Sequence, residues 1–139
     1  MKNNDVGSAQ TSAPNNYTDT RPFWEAVARG KLAIQYDSKT GQPQWYPRSI
    51  SVSSGLRNLE WREVSGNGTI YSWTTTLRAW PGHERRVPYV CALVDLEEGV
   101  RILVNLVDCA AEDIHVGQPV KAQFEEVPAD HRFPMFGPR

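Results

Sequence analysis

The chain is short of metal ligands. Among its 139 residues are two cysteines and three histidines. Cys91 and Cys109 lie in the apolar runs YVCALV and LVDCAA, too widely spaced to form a knuckle pair, and read as buried thiols acting as small hydrophobes. His83, His115 and His131 are isolated, without the carboxylate or imidazole spacing of a metal centre; no metal is expected. Long apolar runs are also missing, and nothing approaches the roughly 20 residues that span a bilayer. The opening stretch MKNNDVGSAQTSAPNNYTDT lacks the apolar core of a secretory signal, so residues 1–18 read as a disordered arm on a cytoplasmic protein. A dominant charge is missing as well: the net charge is -1 and the pI near 6.3, so any anion site must be local.

The lack of metal ligands is most telling at QYDSKTGQPQWYPRSISVSSG, residues 35–55. There are turns at Thr40-Gly41 and Ser54-Gly55, and between them an aromatic-proline step, Trp45-Tyr46-Pro47, followed by Arg48. Structural zinc is held tetrahedrally by two such turns, each donating two thiolates or imidazoles. This hairpin has the outline and none of the ligands. Trp45, Tyr46 and Ile50 are the residues expected to replace the metal with a small packed cluster. Burial of one large side chain contributes only about 1.5–3 kcal/mol, well below a structural zinc site at roughly 10 kcal/mol or more, so the hairpin is expected to be the softer part of the molecule.

Around this hairpin the pattern is mainly β. TRPFWEAVARGK predicts a short amphipathic helix capped by Asp19 or Thr20, with Pro22 in its first turn, Phe23 and Val27 on one face and Gly30 at its end. KLAIQY predicts a strand, and QWYPR a returning strand kept at an edge by Pro47. From Leu59 onward, runs rich in Val, Ile, Thr, Tyr and Trp are separated by SGNG, EEG and AAEDIHVG. The strands fit a small closed barrel better than a sandwich, because closure removes exposed edges. Period-2 pleating places Val90, Ala92, Val94 and Leu96 inside, with Val100, Ile102, Val104 and Leu106, and Val120, Ala122 and Phe124. Tyr71 with Trp73, Tyr89 with Leu93, and Leu103 with Val107 would then face outward and need a cover, supplied by the helix and hairpin or by a partner protein.

The order of these parts resembles the family called domain of unknown function thirty-five. The resemblance is carried by FWEAVARGKL, a ribbon hairpin ending in YPR, LEW, VSGNGTIYSWT, PYVCALVDLEEGVRILVNLVDC, VGQPVKAQFEEV and a terminal FPMF, in register over residues 20–137. It implies a rubredoxin-like zinc ribbon fused to a five-stranded OB-fold. The expected division is a disordered arm over 1–18, a helix with a metal-free, degenerate zinc-ribbon-like hairpin over 19–58, and the OB-fold over 59–139. In zinc-bearing relatives the four cysteines would fall near Tyr36, Lys39, Ile50 or Ser51, and Ser53 or Ser54; here none can act as a soft ligand.

The resemblance also implies a non-catalytic accessory subunit in a hetero-oligomer. Its partner would be a thiolase-fold enzyme (thiolase, acyltransferase or acyl-CoA aldolase), with or without a hydratase-like subunit. No cofactor would be bound tightly, and the chain's only cofactor contact would be with the CoA moiety of a partner-bound thioester. Four surfaces are candidates. Trp45, Tyr46 and Arg48 on the ribbon, and Tyr71 and Trp73 on the barrel, would face a partner. The loop RAWPGHERRVP carries Arg78, Arg85 and Arg86, which suit a CoA phosphate through guanidinium contacts, a partner, or plain solvation. In HRFPMFGPR, Phe133, Met135 and Phe136 would either close the barrel base or dock on the partner, and the segment is too proline-rich to read as a central strand.

Two further readings are weighed. Asp108, Glu112, Asp113 and His115 are the candidates for acid-base work, against an acidic turn before a strand, and no turnover by this chain alone is expected. Tyr71, Trp73 and Arg78 suggest an OB-fold binding single-stranded nucleic acid. The acids of the second half (Asp95, Glu97, Glu98, Asp108, Glu112, Asp113, Glu125, Glu126 and Asp130) would repel phosphates. A stand-alone binder of acyl-CoA or single-stranded nucleic acid is the alternative function.

Overall fold

The structure, a computed structural model, describes residues 19–79, 81, 84–127 and 131–139. Helix α1 (Arg21–Ala28) begins with Thr20 at the N-cap position and Pro22 in the first turn, where a missing amide hydrogen costs no intrahelical bond. It ends where Gly30 takes φ +70° and the amides of Gly30 and Lys31 return to the carbonyls of Val27 and Ala26. Phe23, Ala26 and Val27 form its buried face. Among the described residues, no helix is long and apolar enough to cross a membrane.

A three-stranded antiparallel sheet follows, in the order β2-β1-β3, from β1 (Leu32–Asp37), β2 (Pro43–Gln44) and β3 (Leu59–Val64). The central strand β1 buries Leu32, Ala33, Ile34 and Gln35 in succession. The returning strand is only two residues long, because the chain leaves the sheet at Trp45 and lays that ring on Phe23 of α1, centroids 5.3 Å apart.

The second sheet is a closed barrel of β4 (Asn67–Thr76), β5 (Tyr89–Leu96), β6 (Arg101–Leu106), β7 (Pro119–Val127) and β8 (His131–Pro138), in the order β4-β5-β6-β8-β7. Burial along β5 alternates residue by residue, and Val90, Ala92, Val94 and Leu96 point inward as expected, joined by Val100, Ile102, Val104, Leu106 and Val120. Ala122 and Phe124 pack against this core half-buried. Phe23, Val27, Leu32 and Ile34 belong to the same apolar cluster, so helix, small sheet and barrel share one core. A short helical turn, Ala111–Asp113, occupies the connection before β7.

Three expectations are corrected. The division at residues 58/59 assigns β3 to the barrel, but β3 pairs with β1 along its whole length, and the barrel strands begin at Asn67. The C-terminal segment is a full strand that closes the barrel between β6 and β7 despite Pro134 and Pro138. The carbonyl of Phe136 accepts from Val107 while the amide of Arg139 donates to Pro119, so even-numbered residues of β8 direct their backbone groups toward β6. There the pairing is a single bridge, Leu106 with Phe136, and the prolines forfeit no β7 ladder bond. Finally, Tyr71 and Trp73 do not share a face. A bulge between Ile70 and Ser72 sets Trp73 opposite Ala92, on the barrel's inner side, where it remains 38% exposed. Tyr71 stays outside beneath the guanidinium of Arg101, 3.3 Å from the ring centroid.

Phe136 is fully buried and Met135 nearly so, which removes Phe136 from the residues able to meet a partner: it closes the barrel core. Phe136→Ala is expected to lower the unfolding free energy by about 3–5 kcal/mol in a urea titration, and Phe133→Ala, half-buried, by clearly less. Equal, small losses would contradict this placement.

Candidate functional site

The two turns of the hairpin are equivalent. Residues 37–41 close with the Gly41 amide on the Asp37 carbonyl, and residues 51–55 with the Gly55 amide on the Ser51 carbonyl. Both glycines have φ near +70°, the left-handed conformation that glycine adopts without a Cβ penalty. Where metal ligands would face one another stands the carboxylate of Asp37, 1% exposed. Its Oδ1 accepts from the Lys39 amide at 2.7 Å, the Thr40 amide at 3.0 Å and Asn58 Nδ2 at 2.7 Å. Its Oδ2 accepts from Ser51 Oγ at 2.5 Å, Ser53 Oγ at 3.0 Å and Ser54 Oγ. Burial alone would raise this carboxyl's pKa. The hydroxyls of Ser51 and Ser54 and the two amides outweigh it and hold the group far below the usual carboxylate range.

Next to this lock lies a second buried polar pair. Gln35 on β1 accepts from Gln44 Nε2 at 3.1 Å and from the Arg48 amide at 2.8 Å, and donates to the Arg48 carbonyl at 2.8 Å. Gln44 accepts from the Val52 amide at 3.0 Å. Asp37 thus ties the two turns together, and the glutamines pin the loop between them. The expected replacement by Trp45, Tyr46 and Ile50 is corrected. Tyr46 and Ile50 are 56% and 43% exposed, and hydrogen bonds to a buried carboxylate hold the turns instead. The stations assigned to missing cysteines near Lys39, Ser51, Ser53 and Ser54 do converge, as donors to Asp37. Asp37 itself was missed. Its signal is an Asp four residues before a turn glycine, facing a Ser-x-Ser-Ser-Gly turn. All six donors point at the carboxylate, and among the described residues there is no group of three or more His, Cys, Asp or Glu placed to hold a metal ion.

The pinned loop forms one wall of an apolar groove of about 460 Å³. Trp45, Tyr46 and Pro47 face Leu103 on β6 and Phe133 and Met135 on β8, with Phe23 and Trp24 of α1 between them. The rings form a continuous row. Phe133 meets Trp24 edge-on at 5.7 Å, Trp24 meets Phe23 at 5.0 Å, Phe23 meets Trp45 at 5.3 Å and Trp45 meets Tyr46 at 5.2 Å, separations at which aromatic pairs attract. Leu103 is 59% exposed. Half-buried Cys91 lines the groove, and Cys109 packs half-buried against the core, so the buried thiols expected are only half-buried.

The structure therefore brings Trp45, Tyr46, Phe133, Met135 and Arg86 to one groove. Arg48 is exposed beside it, held by its backbone. Arg78 and Arg85 are exposed on the loop that carries Arg86. His83 and Asp130 lie outside the described residues, and the side chain of His131 is not described. Asp108, Glu112, Asp113 and His115 are all exposed, and His115 Nδ1 contacts only the Asp113 carbonyl, at 3.2 Å. Tyr71 is covered by Arg101, which a bidentate contact with Asp95 at 2.6 and 3.0 Å fixes in place, so the ring is not free to stack on a base.

Comparison with known proteins agrees with this anatomy. Residues 61–125 match the family model for the C-terminal OB-fold domain of ChsH2. A DUF35 domain-containing scaffold protein of Methanocaldococcus jannaschii is 38% identical over 109 residues, 77% of each chain. The 3-oxo-4,17-pregnadiene-20-carboxyl-CoA hydratase alpha subunit of Mycobacterium tuberculosis is 33% identical over 122 residues, and the match spans 83% of this chain but only 36% of that subunit. The solved structure of the Ltp2-ChsH2(DUF35) aldolase superposes with a TM-score of 0.82 at 30% identity, covering 91% of this chain and 98% of the matched one.

The lock makes a prediction about pH. Because the folded-state pKa of Asp37 is depressed, its contribution to stability is complete above the unfolded-state value of about 4 and is lost as pH falls below it. Asp37→Asn places an amide donor among donors. It is expected to lower Tm at pH 7 by roughly 5 °C or more and to flatten the decline of Tm between pH 4 and 2.5, both read by circular dichroism. An unchanged Tm, or a variant as acid-sensitive as the wild type, would contradict the assignment.

Proposed function

The chain belongs to the DUF35-domain scaffold proteins, and from that premise we propose that it is a non-catalytic accessory subunit that binds a thiolase-fold enzyme and supports its handling of acyl-CoA. The observation that carries the reading is the apolar groove, which exposes Tyr46 and Leu103 beside the half-buried Trp45 and Phe133. Clustered aromatics around an aliphatic centre are the composition of an interface core. The relatives point the same way: three are named scaffold proteins, two are hydratase alpha subunits, and the superposed structure is the Ltp2-ChsH2(DUF35) aldolase. A hydratase-like subunit is the second partner class, in keeping with the match to one third of such a chain.

On this reading the chain is a cytoplasmic protein that holds no tightly bound cofactor. Its partner surface is Trp45, Tyr46 and Arg48 with Phe133 and the part of Met135 that lines the groove; Tyr71 and Trp73 add to it from opposite faces of β4. Arg86 at the groove, with Arg78 and Arg85 on the same loop, is the contact for the CoA moiety of a thioester held by the partner, through charge-assisted hydrogen bonds to phosphate. The stand-alone nucleic-acid reading is disfavoured by the capped ring of Tyr71.

Leu103→Arg and Tyr46→Ala both change exposed side chains, so Tm should hold. Each is expected to weaken the complex with the thiolase-fold enzyme by about 10-fold or more, measured by isothermal titration calorimetry. Wild-type affinity in both variants would remove the groove from the interface.

A further inference from the structure

Among the described residues, one strand edge in the barrel is left without a neighbour. β4 runs ten residues, yet β7 pairs with it only from Asn67 to Thr69, and the last contact on that side is Ile70 with Gln118 and Gly117. From Tyr71 to Thr76, β4 pairs with β5 alone among the described residues. The register shows which backbone groups are exposed. The Asn67 carbonyl accepts from the amide of Glu97, the residue that follows β5, and the Ile70 amide and carbonyl face away from β5, toward Gln118 and Gly117. Odd-numbered residues of β5 therefore bond toward β4. Beyond the bulge, Ser72, Thr74 and Thr76 stand opposite Leu93, Cys91 and Tyr89 and fill those bonds. The N–H and C=O groups of Trp73 and Thr75 are directed to the open side.

Natural edges are guarded by charge, proline or brevity. The stretch YSWTTTL, residues 71–77, has no charged residue, proline or glycine and is composed of strand-forming types apart from Ser72 and Leu77. Leu77 is 73% exposed, and Thr74 and Thr75 are exposed. Charge begins where the strand ends: Arg78, Arg85 and Arg86 lie on the loop joining Thr76 to Tyr89, and Arg86 also lines the apolar groove. The edge and the groove are thus joined through this loop.

We propose that the Tyr71–Thr76 edge is a strand-addition site. Its occupant is an extended, uncharged segment of the thiolase-fold partner, with an acidic residue at the end that meets the arginine loop. Backbone hydrogen bonds at Trp73 and Thr75 supply the pairing, as in other edge-augmented complexes, and the guanidiniums fix its register. The inference rests on the accessory-subunit reading and names a second contact beside the groove.

The test uses Thr75→Pro, which removes one outward amide without touching the β5 ladder, and Thr75→Val, which changes the same side chain but keeps the amide. Each is titrated against the purified thiolase-fold enzyme, with Tm checked first. The expected result is an affinity loss of about 10-fold or more for the proline variant and near wild-type binding for valine. In the wild type, amide exchange at Trp73 and Thr75 should slow by about 100-fold on complex formation, a readout that holds even if the proline variant unfolds. A complex that leaves both amides fast-exchanging, or that tolerates proline, overturns the edge and leaves the accessory reading standing. Dimerisation of the free chain through this edge, seen as doubled mass by light scattering, also overturns it, and no wild-type complex at all overturns both.

Discussion

The Asp37 carboxylate, with three donors on each oxygen, is the contact on which the geometry of the N-terminal half depends. A ribbon hairpin has too few residues between its turns to build a core, and zinc ribbons hold such turns together with a metal. Here the turns keep their glycine-closed shape, and a buried anion takes the central place. A carboxylate in that position is tolerable only when its lone pairs are filled. Three serines, an asparagine and two amides fill them, drawn from both turns and from the residue just before β3. Two equivalent turns and one anion give the hairpin a cross-link without a cation.

What the lock positions is the wall of the groove. Gln35 and Gln44 extend the polar network from the turns to the backbone of Arg48 and Val52, so Trp45, Tyr46 and Pro47 lie on a braced loop rather than a free one. From there a row of rings crosses α1 to Phe133 on the barrel, and the shared core beneath makes ribbon and barrel a single body. A groove walled by both parts presents a preformed surface, and preformed surfaces lose less entropy on association. An accessory subunit needs that property more than it needs chemistry of its own.

Much of this was legible in the sequence, for physical reasons. The period-2 runs of β5, β6 and β7 sort their residues between core and surface with little ambiguity, and Pro22 and Gly30 mark the ends of α1. The failures came where pairing outweighs pattern. Pro134 and Pro138 argue against a central strand until the neighbour on their amide side turns out to be a single bridge. A one-residue bulge reverses Trp73 while leaving its sequence alternation intact. The groove was only partly legible, since its aromatics could be singled out but their convergence depends on tertiary packing. Asp37 was hidden because a lone acid in a polar turn reads as solvated surface. Only the fold brings Ser51, Ser53, Ser54 and Asn58, 14 to 21 residues away, around it.

The most direct measurement is co-expression of this chain with a thiolase-fold protein from the same genome, followed by size-exclusion chromatography with light scattering on the co-purified material. The account predicts one species whose mass is a whole-number combination of the two chains, absent when either is made alone. Two separate peaks, each with the mass of its own protein, would contradict it.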